Sequence, residues 1–375
     1  MKRLIRPLIL SLALVVSSSI AGSAPLIVSS GEGILRLELD PDTGEWSERV
    51  TLSEEKVGWF DMDASGKFLY GTTTWAEADG PTNGGIAAFA FGEDGKSLER
   101  LNERFTEGKT PCYVHLHPAG GHVAVANFRF DERNSRGSVV LFPIEEDGSL
   151  GASAWREEYP GQGAVLPRQS ASHPHSLRFS PDGRFFAVGD LGIDAVVIHS
   201  IDPDPLEIGD AVRIEVKPGQ QPRHVAWHPS GAYLYCMNEA GKTVTAFRFD
   251  AGAGQAEVIQ NIGRLSPDAT GGSAGADLVM HPSGRFLYGS NRGVDTIVAY
   301  RIDEENGELE LVGHAPTGGG STRSLAVSPC GGFLVAANQG EGSLRLFRVD
   351  DSGALERVGE DLVIPAPRCV RFLKK

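Results

Sequence analysis

Cysteine is scarce in this chain, with four in 375 residues. Cys112, Cys236, Cys330 and Cys369 lack the close paired spacing of a zinc site, so packed thiols are expected and no metal or other cofactor is called for. Long apolar runs are equally rare: the stretch from Leu8 to Val16 stands out, and it is too short to cross a bilayer as a helix. A dense Lys/Arg stripe interleaved with aromatics is missing, and the formal charge is -14. Such a surface repels phosphate backbones, so nucleic acid is not an expected partner. There is no G-x-S-x-G elbow for a serine nucleophile.

What the first residues do carry is an address. Lys2, Arg3 and Arg6 precede the apolar stretch, and small residues from Ser17 to Ala24 then offer cleavage sites of the A-x-A type. We expect a signal peptide over residues 1–24 and a mature chain over residues 25–375, exported to the periplasm or secreted. No cysteine follows the apolar stretch to take a lipid, so no membrane attachment is expected after cleavage. An uncleaved anchor or a buried first strand is the other reading of the same stretch. The mature protein is expected to be a monomer.

Glycine (47) and proline (22) are spread along the chain rather than clustered, which suits many short strands joined by tight turns. One phrase recurs: an apolar strand, a small turn containing glycine, and a second apolar strand. Six copies stand complete, among them GWFDMDASGKFLYGTT from Gly58, HVAWHPSGAYLYCMNE from His224 and RSLAVSPCGGFLVAAN from Arg323. Their turn glycines, Gly66, Gly120, Gly183, Gly231, Gly284 and Gly331, lie roughly 47 to 63 residues apart, the length of a four-stranded blade with its loops. A third alternating strand follows each hairpin, as in GIAAFAF and KTVTAFRF, and then an outer strand such as LERLNERF. A seventh copy is split. PRCVRFLKK at the C-terminus begins like an inner strand and stops, and LIVSSGEGILRLEL at the mature N-terminus begins where a second strand should. The expected fold is all-β: a seven-bladed β-propeller of four-stranded blades, its ring closed by pairing the terminal strands so that no inner edge is exposed.

Strand direction then places the site. Inner and second strands are antiparallel, so the start of one and the end of the other meet at the same mouth of the central channel. The starts bring His173, His175, Arg223, His224, Asp277, Arg323 and Arg368. The ends bring Asn127, Asp190, Asn238, Glu239, Asn291, Arg292, Asn338 and Gln339. This mouth is densely polar, whereas the opposite ends carry the repeated turns, with His117, His228 and His281 as turn residues rather than site residues.

Four runs in order resemble one family: PRQSASHPHSLRFSPDGRFFAVGDLGIDAVVI, QPRHVAWHPSGAYLYCMNEAGKTVTAF, GRFLYGSNRGVDTIVAYRID, and APTGGG with FLVAANQ. They look like the lactonase family of bacterial propellers, which includes propeller-type 6-phosphogluconolactonases and the carboxymuconate lactonising enzyme. The resemblance covers nearly the whole mature chain. It implies that His175, Arg223, Glu239 and Arg292 are catalytic, with His173, Asp190, His224, Asn238, Asn291, Arg323 and Gln339 binding substrate. Two departures stand out. Thr322, Arg323 and Ser324 replace a second Pro-Arg-His, and Val28, Ser29, Ser30 and Gly31 replace an opening Gly-Thr-Tyr-Thr.

The residue types suit lactone opening, which needs an activated water, a stabilised oxyanion and a proton for the departing hydroxyl. His175 and Glu239 can share proton transfer, while Arg223 and Arg292 can hold a carboxylate or phosphate by their planar forks. The expected function is a lactonase acting on a sugar-derived or other anionic lactone, a small molecule. Other readings stay open: a non-catalytic exported propeller that binds a protein or carbohydrate, a cycloisomerase that closes lactones, or a quinone-bearing redox propeller. A Glu beside two arginines also reads as an inter-blade salt bridge.

Overall fold

The computed structural model describes residues 23–76, 82–129 and 136–373. These form seven antiparallel sheets. Numbering blades by their inner strands, blades one to six start at Phe60–Met62, Lys109–Leu116, Pro174–Phe179, Pro222–Trp227, Ala274–Met280 and Thr322–Val327. Consecutive inner strands lie side by side around the ring.

Blade seven is the split repeat. Its inner strand, Cys369–Phe372, pairs with Ala24–Ser30 in the register Leu26 to Phe372, Val28 to Val370 and Ser29 to Cys369. The ring then closes onto blade one, where the Ser29 hydroxyl donates to the Gly58 carbonyl at 2.9 Å. The first strand already begins at Ala24, paired with Leu39, so it takes in the last residue of the expected leader. Residues 1–22 of that leader lie outside the described residues.

Period-two alternation builds the core. In the second strand of blade four, Tyr233–Asn238, every residue is buried. Leu234 and Cys236 join an apolar cluster with Val196 and Ile198 of blade three, while Tyr235 and Met237 join one with Leu278 and Val298 of blade five. Each sheet is thus sandwiched, which is why both faces of its strands read as apolar. Cys236 and Cys369 are buried free thiols, as expected, but Cys330 is exposed because it occupies a turn. Blade three departs from four simple strands. Its outer position is split between Leu206–Ile208 and Val212–Glu215, both paired with Ala195–Pro203.

The turns also fasten neighbouring blades. All six repeat glycines have φ between 68° and 79°, the left-handed region where a side chain is strained. His117, His228 and His281, each just before such a turn, reach the carbonyl of the next blade's turn glycine: Gly183 at 2.9 Å, Gly284 at 3.1 Å and Gly331 at 3.0 Å. In His228 and His281 the other ring nitrogen accepts a backbone N–H, so Nε2 carries the proton. Tyr70, Tyr235 and Tyr288 repeat the device one layer in, donating to Gly148, Gly307 and Gly353. His281→Ala is therefore expected to destabilise the ring by about 1 kcal/mol. The check is a lower urea midpoint with an unchanged slope.

Candidate active site

The strand starts do meet the strand ends at one mouth. Cα partners there are Pro111 and Asn127, Pro174 and Asp190, Pro222 and Asn238, Gly275 and Asn291, and Thr322 and Asn338. Immediately after each pair the inner strand shifts register. The bulge leaves Cys112, His175, Arg223 and Arg323 without cross-strand partners, and in blade five Ala276 and Asp277. A bulge re-aims the side chain it carries. Here it gathers these residues towards one another: Arg223 and Arg323 both act electrostatically on Cys112 and on His175.

Glu239, just past the second strand of blade four, is the hub. Its Oε2 accepts from Arg223 Nε at 3.1 Å and from Arg292 Nη2 at 3.0 Å, and its Oε1 accepts from Arg168 Nη2 at 3.0 Å. Burial alone would raise its pKa; Arg223, Arg292 and Arg168 outweigh that and hold it below the usual carboxylate range. Arg223 is 1% exposed, and its Nη1 is buried without a partner among the described residues. Burial, with Arg292 close by, pushes it down to about 9, so it stays protonated at neutral pH. Arg323 is half-buried and depressed by burial, by Arg292 and by Arg368. The mouth thus carries more positive charge than Glu239 neutralises.

His175 is nearly sealed, and its Nδ1 has no partner among the described residues. Burial, Arg223, His224 and Arg323 push its pKa well below the usual histidine value, which leaves it neutral. No hydrogen bond joins it to Glu239 among the described residues. His173 lies flat on Phe128, with ring centroids 4.7 Å apart, and its Nδ1 donates to the Phe128 carbonyl. His224 sits deeper: its ring meets Trp59 of blade one, Tyr113 of blade two and His175 of blade three edge-on, and its Nδ1 donates to Asp277 of blade five at 2.8 Å. A side chain touching four other blades stands in the central channel.

Three of the expected binding residues have other work. Asp190, fully buried, accepts from Ser172 Oγ at 2.5 Å and from the backbone N–H groups of His173 and Gly192. Burial still lifts its pKa to about 6. Asn238 donates to Thr243 and Thr245, and Asn291 donates to Thr296 and the Arg264 carbonyl. Through these bonds each side chain braces neighbouring backbone and hydroxyl groups. Gln339 remains half-buried at the rim of blade six.

Two arginines at Glu239 were not singled out from the sequence. Arg168 comes from the loop before blade three and covers the Phe128 ring at 5.2 Å; its one cue was the Pro167–Arg168 pair, which repeats the Pro-Arg of residues 222–223 and 367–368. Arg264 is fully buried and donates to the Glu239 backbone carbonyl at 3.0 Å, fixing that loop. Beside Arg292 a cleft of about 630 Å³ opens between the loops of blades five and six, with Ser273, Asp295 and Ser321 in its walls. Among the described residues no group of three or more His, Cys, Asp or Glu is placed to hold a metal ion.

A family model described as lactonase, seven-bladed β-propeller, matches residues 18–372. The chain belongs to this family. Within the lactonase family it is 32% identical over 288 residues to the 6-phosphogluconolactonase of Bacillus subtilis, covering 75% of this chain and 77% of that one. A 6-phosphogluconolactonase of Formosa agariphila is 31% identical over 260 residues, 68% of this chain and 70% of its own. Among solved structures, the periplasmic gluconolactonase of Pseudomonas aeruginosa superposes with a TM-score of 0.85 at 26% identity, covering 94% of this chain and 99% of that one. The family's fold is the one the repeats predict.

Proposed function

We propose that this protein is an exported hydrolase that opens an anionic lactone at the polar mouth of its channel. The observation that carries this reading is the charge balance at Glu239: one carboxylate holds Arg168, Arg223 and Arg292, while Arg323 and Arg368 lie close by. Glu239 keeps the guanidinium forks aimed, and the surplus positive charge receives the substrate's carboxylate or phosphate. The names of the relatives support a sugar-derived lactone, 6-phosphogluconolactone or gluconolactone in kind.

The chemistry follows from the residues at the bulges. A water attacks the lactone carbonyl carbon, its proton passing to neutral His175 as the new C–O bond forms. Arg292 holds the oxyanion of the tetrahedral intermediate, and Arg223 receives the substrate's anionic group. When the ring C–O bond breaks, the departing alkoxide takes the proton back from His175. The basic start, apolar stretch and small-residue exit of residues 1–24 support export, with cleavage just before Ala24 leaving the first strand whole.

A base must be neutral to act, so activity falls as pH drops through the pKa of His175. Because that pKa is well below the usual histidine value in the free protein, kcat/KM is expected to hold its plateau below pH 6.5, the ordinary value for histidine. Arg323→Gln removes one of the positive neighbours that depress it, so the acid limb should move to higher pH. A limb that stays in place in this variant would detach His175 from the proton transfer.

A further inference from the structure

Behind His175 lies a buried pair that the reaction as described does not use. His224 and Asp277 are 1% and 0% exposed, on neighbouring blades, with His224 Nδ1 to Asp277 Oδ1 at 2.8 Å. Asp277 is anchored from the other side as well, accepting the backbone N–H of Leu278 on Oδ1 and of Leu325 on Oδ2, both at 2.9 Å. A carboxylate with these donors accepts the His224 Nδ1 proton, so Nε2 is left as the lone-pair side of that ring. His224 Nε2 is buried and without a partner among the described residues.

Two neighbouring rings carry a buried nitrogen that could complement it, Trp59 Nε1 at a centroid separation of 5.1 Å and His175; of the two, only His175 is a proton-transfer group. Its Nδ1 is also buried and without a partner among the described residues, and the two ring centroids are 5.5 Å apart at 62°. That is about the separation of two imidazoles joined by a single N–H···N bond. Two unsatisfied buried nitrogens on neighbouring rings cost free energy unless they find partners. Trp59 and Tyr113, each edge-on to His224 at 5.1 and 5.0 Å, close the remaining sides.

We propose that Asp277, His224 and His175 form a relay across blades five, four and three that sets the catalytic tautomer of His175. It rests on the lactone-opening reading. Asp277 fixes His224 with Nε2 as an acceptor, and His224 then accepts the His175 Nδ1 proton once a bound anion draws the rings into line. His175 is left with Nε2 as the base that meets the water. The water's proton goes to His175 Nε2 and returns from it to the alkoxide, while the Nδ1 proton stays shared with His224. His224 and Asp277 are positioning residues: neither touches the lactone. The arginine cluster serves the anion and the relay serves the proton.

The test compares His224→Phe, which keeps an aromatic ring against Trp59 and Tyr113, with His224→Gln, whose amide can donate to Asp277 and accept from His175. With gluconolactone 6-phosphate as substrate, His224→Phe should lower kcat at least 100-fold with KM changed less than threefold and the thermal transition retained. His224→Gln should recover at least tenfold of that loss. Independently of turnover, nitrogen-15 NMR of the resting protein should show the proton of His224 on Nδ1, and Asp277→Asn should move it to Nε2. The relay is overturned if His224→Phe keeps kcat within threefold of the parent, or if the resting His224 proton is on Nε2. A parent protein that opens no lactone would instead remove the functional reading, with the NMR result still deciding the tautomer.

Discussion

A chain ending at Arg368 is expected to show no cooperative thermal unfolding. The deletion takes away the strand Cys369–Phe372, the inner strand of blade seven. Cys369 and Val370 are fully buried and Phe372 nearly so. Burying an apolar side chain of this size contributes about 1.5–3 kcal/mol, so the loss of three approaches the ~5–15 kcal/mol by which a whole domain is stable. It also exposes Ala24–Ser30 as an unpaired edge in the middle of the ring, a template for association with another chain. Arg371, whose guanidinium lies 4.8 Å from the Trp59 ring, goes with it, loosening the floor of the channel. Differential scanning calorimetry of the two chains decides the point. A truncated protein that melts within a few degrees of the full one would mean that the ring does not depend on its closure.

The second large effect concerns the mouth. Arg223→Lys keeps the charge but replaces a planar fork with a point donor. The fork does two things at once, holding Glu239 through Nε while leaving Nη1 free. An ammonium in the same buried place can keep the Glu239 contact and still offers no second, coplanar donor to a carboxylate or phosphate. For an anionic lactone, kcat/KM is expected to fall about 100-fold, equivalent to about 2.7 kcal/mol. A neutral lactone of the same ring size should lose less than tenfold. Equal losses for both would make Arg223 a structural partner of Glu239 and not a receiver of charge.

The fold was legible because it is periodic. Six turn glycines at near-even spacing mark six hairpins, and all six adopt the left-handed conformation that only a turn of this kind demands. The split seventh copy was legible for the same reason, since each half matches a known part of the phrase. Blade three's divided outer strand was not, because short edge strands carry little alternation. The approximate position of Arg223, Glu239 and Arg292 followed from strand direction alone. Their mutual bonds did not, since the register shifts that turn Arg223 and His175 into the channel are a property of strand pairing that no residue type announces. Arg168 was missed because it lies in a loop outside the strand phrase, marked only by its Pro-Arg pair. For Asp190, Asn238 and Asn291, strand direction gave the place at the mouth but not the bonds that each side chain makes. Those bonds include tertiary contacts such as Asn291 with Arg264.

The central claim is that the arginine-rich mouth opens anionic lactones, and titration of released acid tests it most directly. Purified mature protein would be compared on gluconolactone 6-phosphate, glucaro-1,4-lactone, which bears a free carboxylate, and unsubstituted δ-valerolactone, each against its spontaneous hydrolysis at the same pH. The account predicts enzymatic acid release, with kcat/KM at least tenfold higher for a lactone bearing a phosphate or carboxylate than for the neutral ring. Rates equal to the spontaneous ones for every lactone would contradict it and leave the mouth as a docking surface.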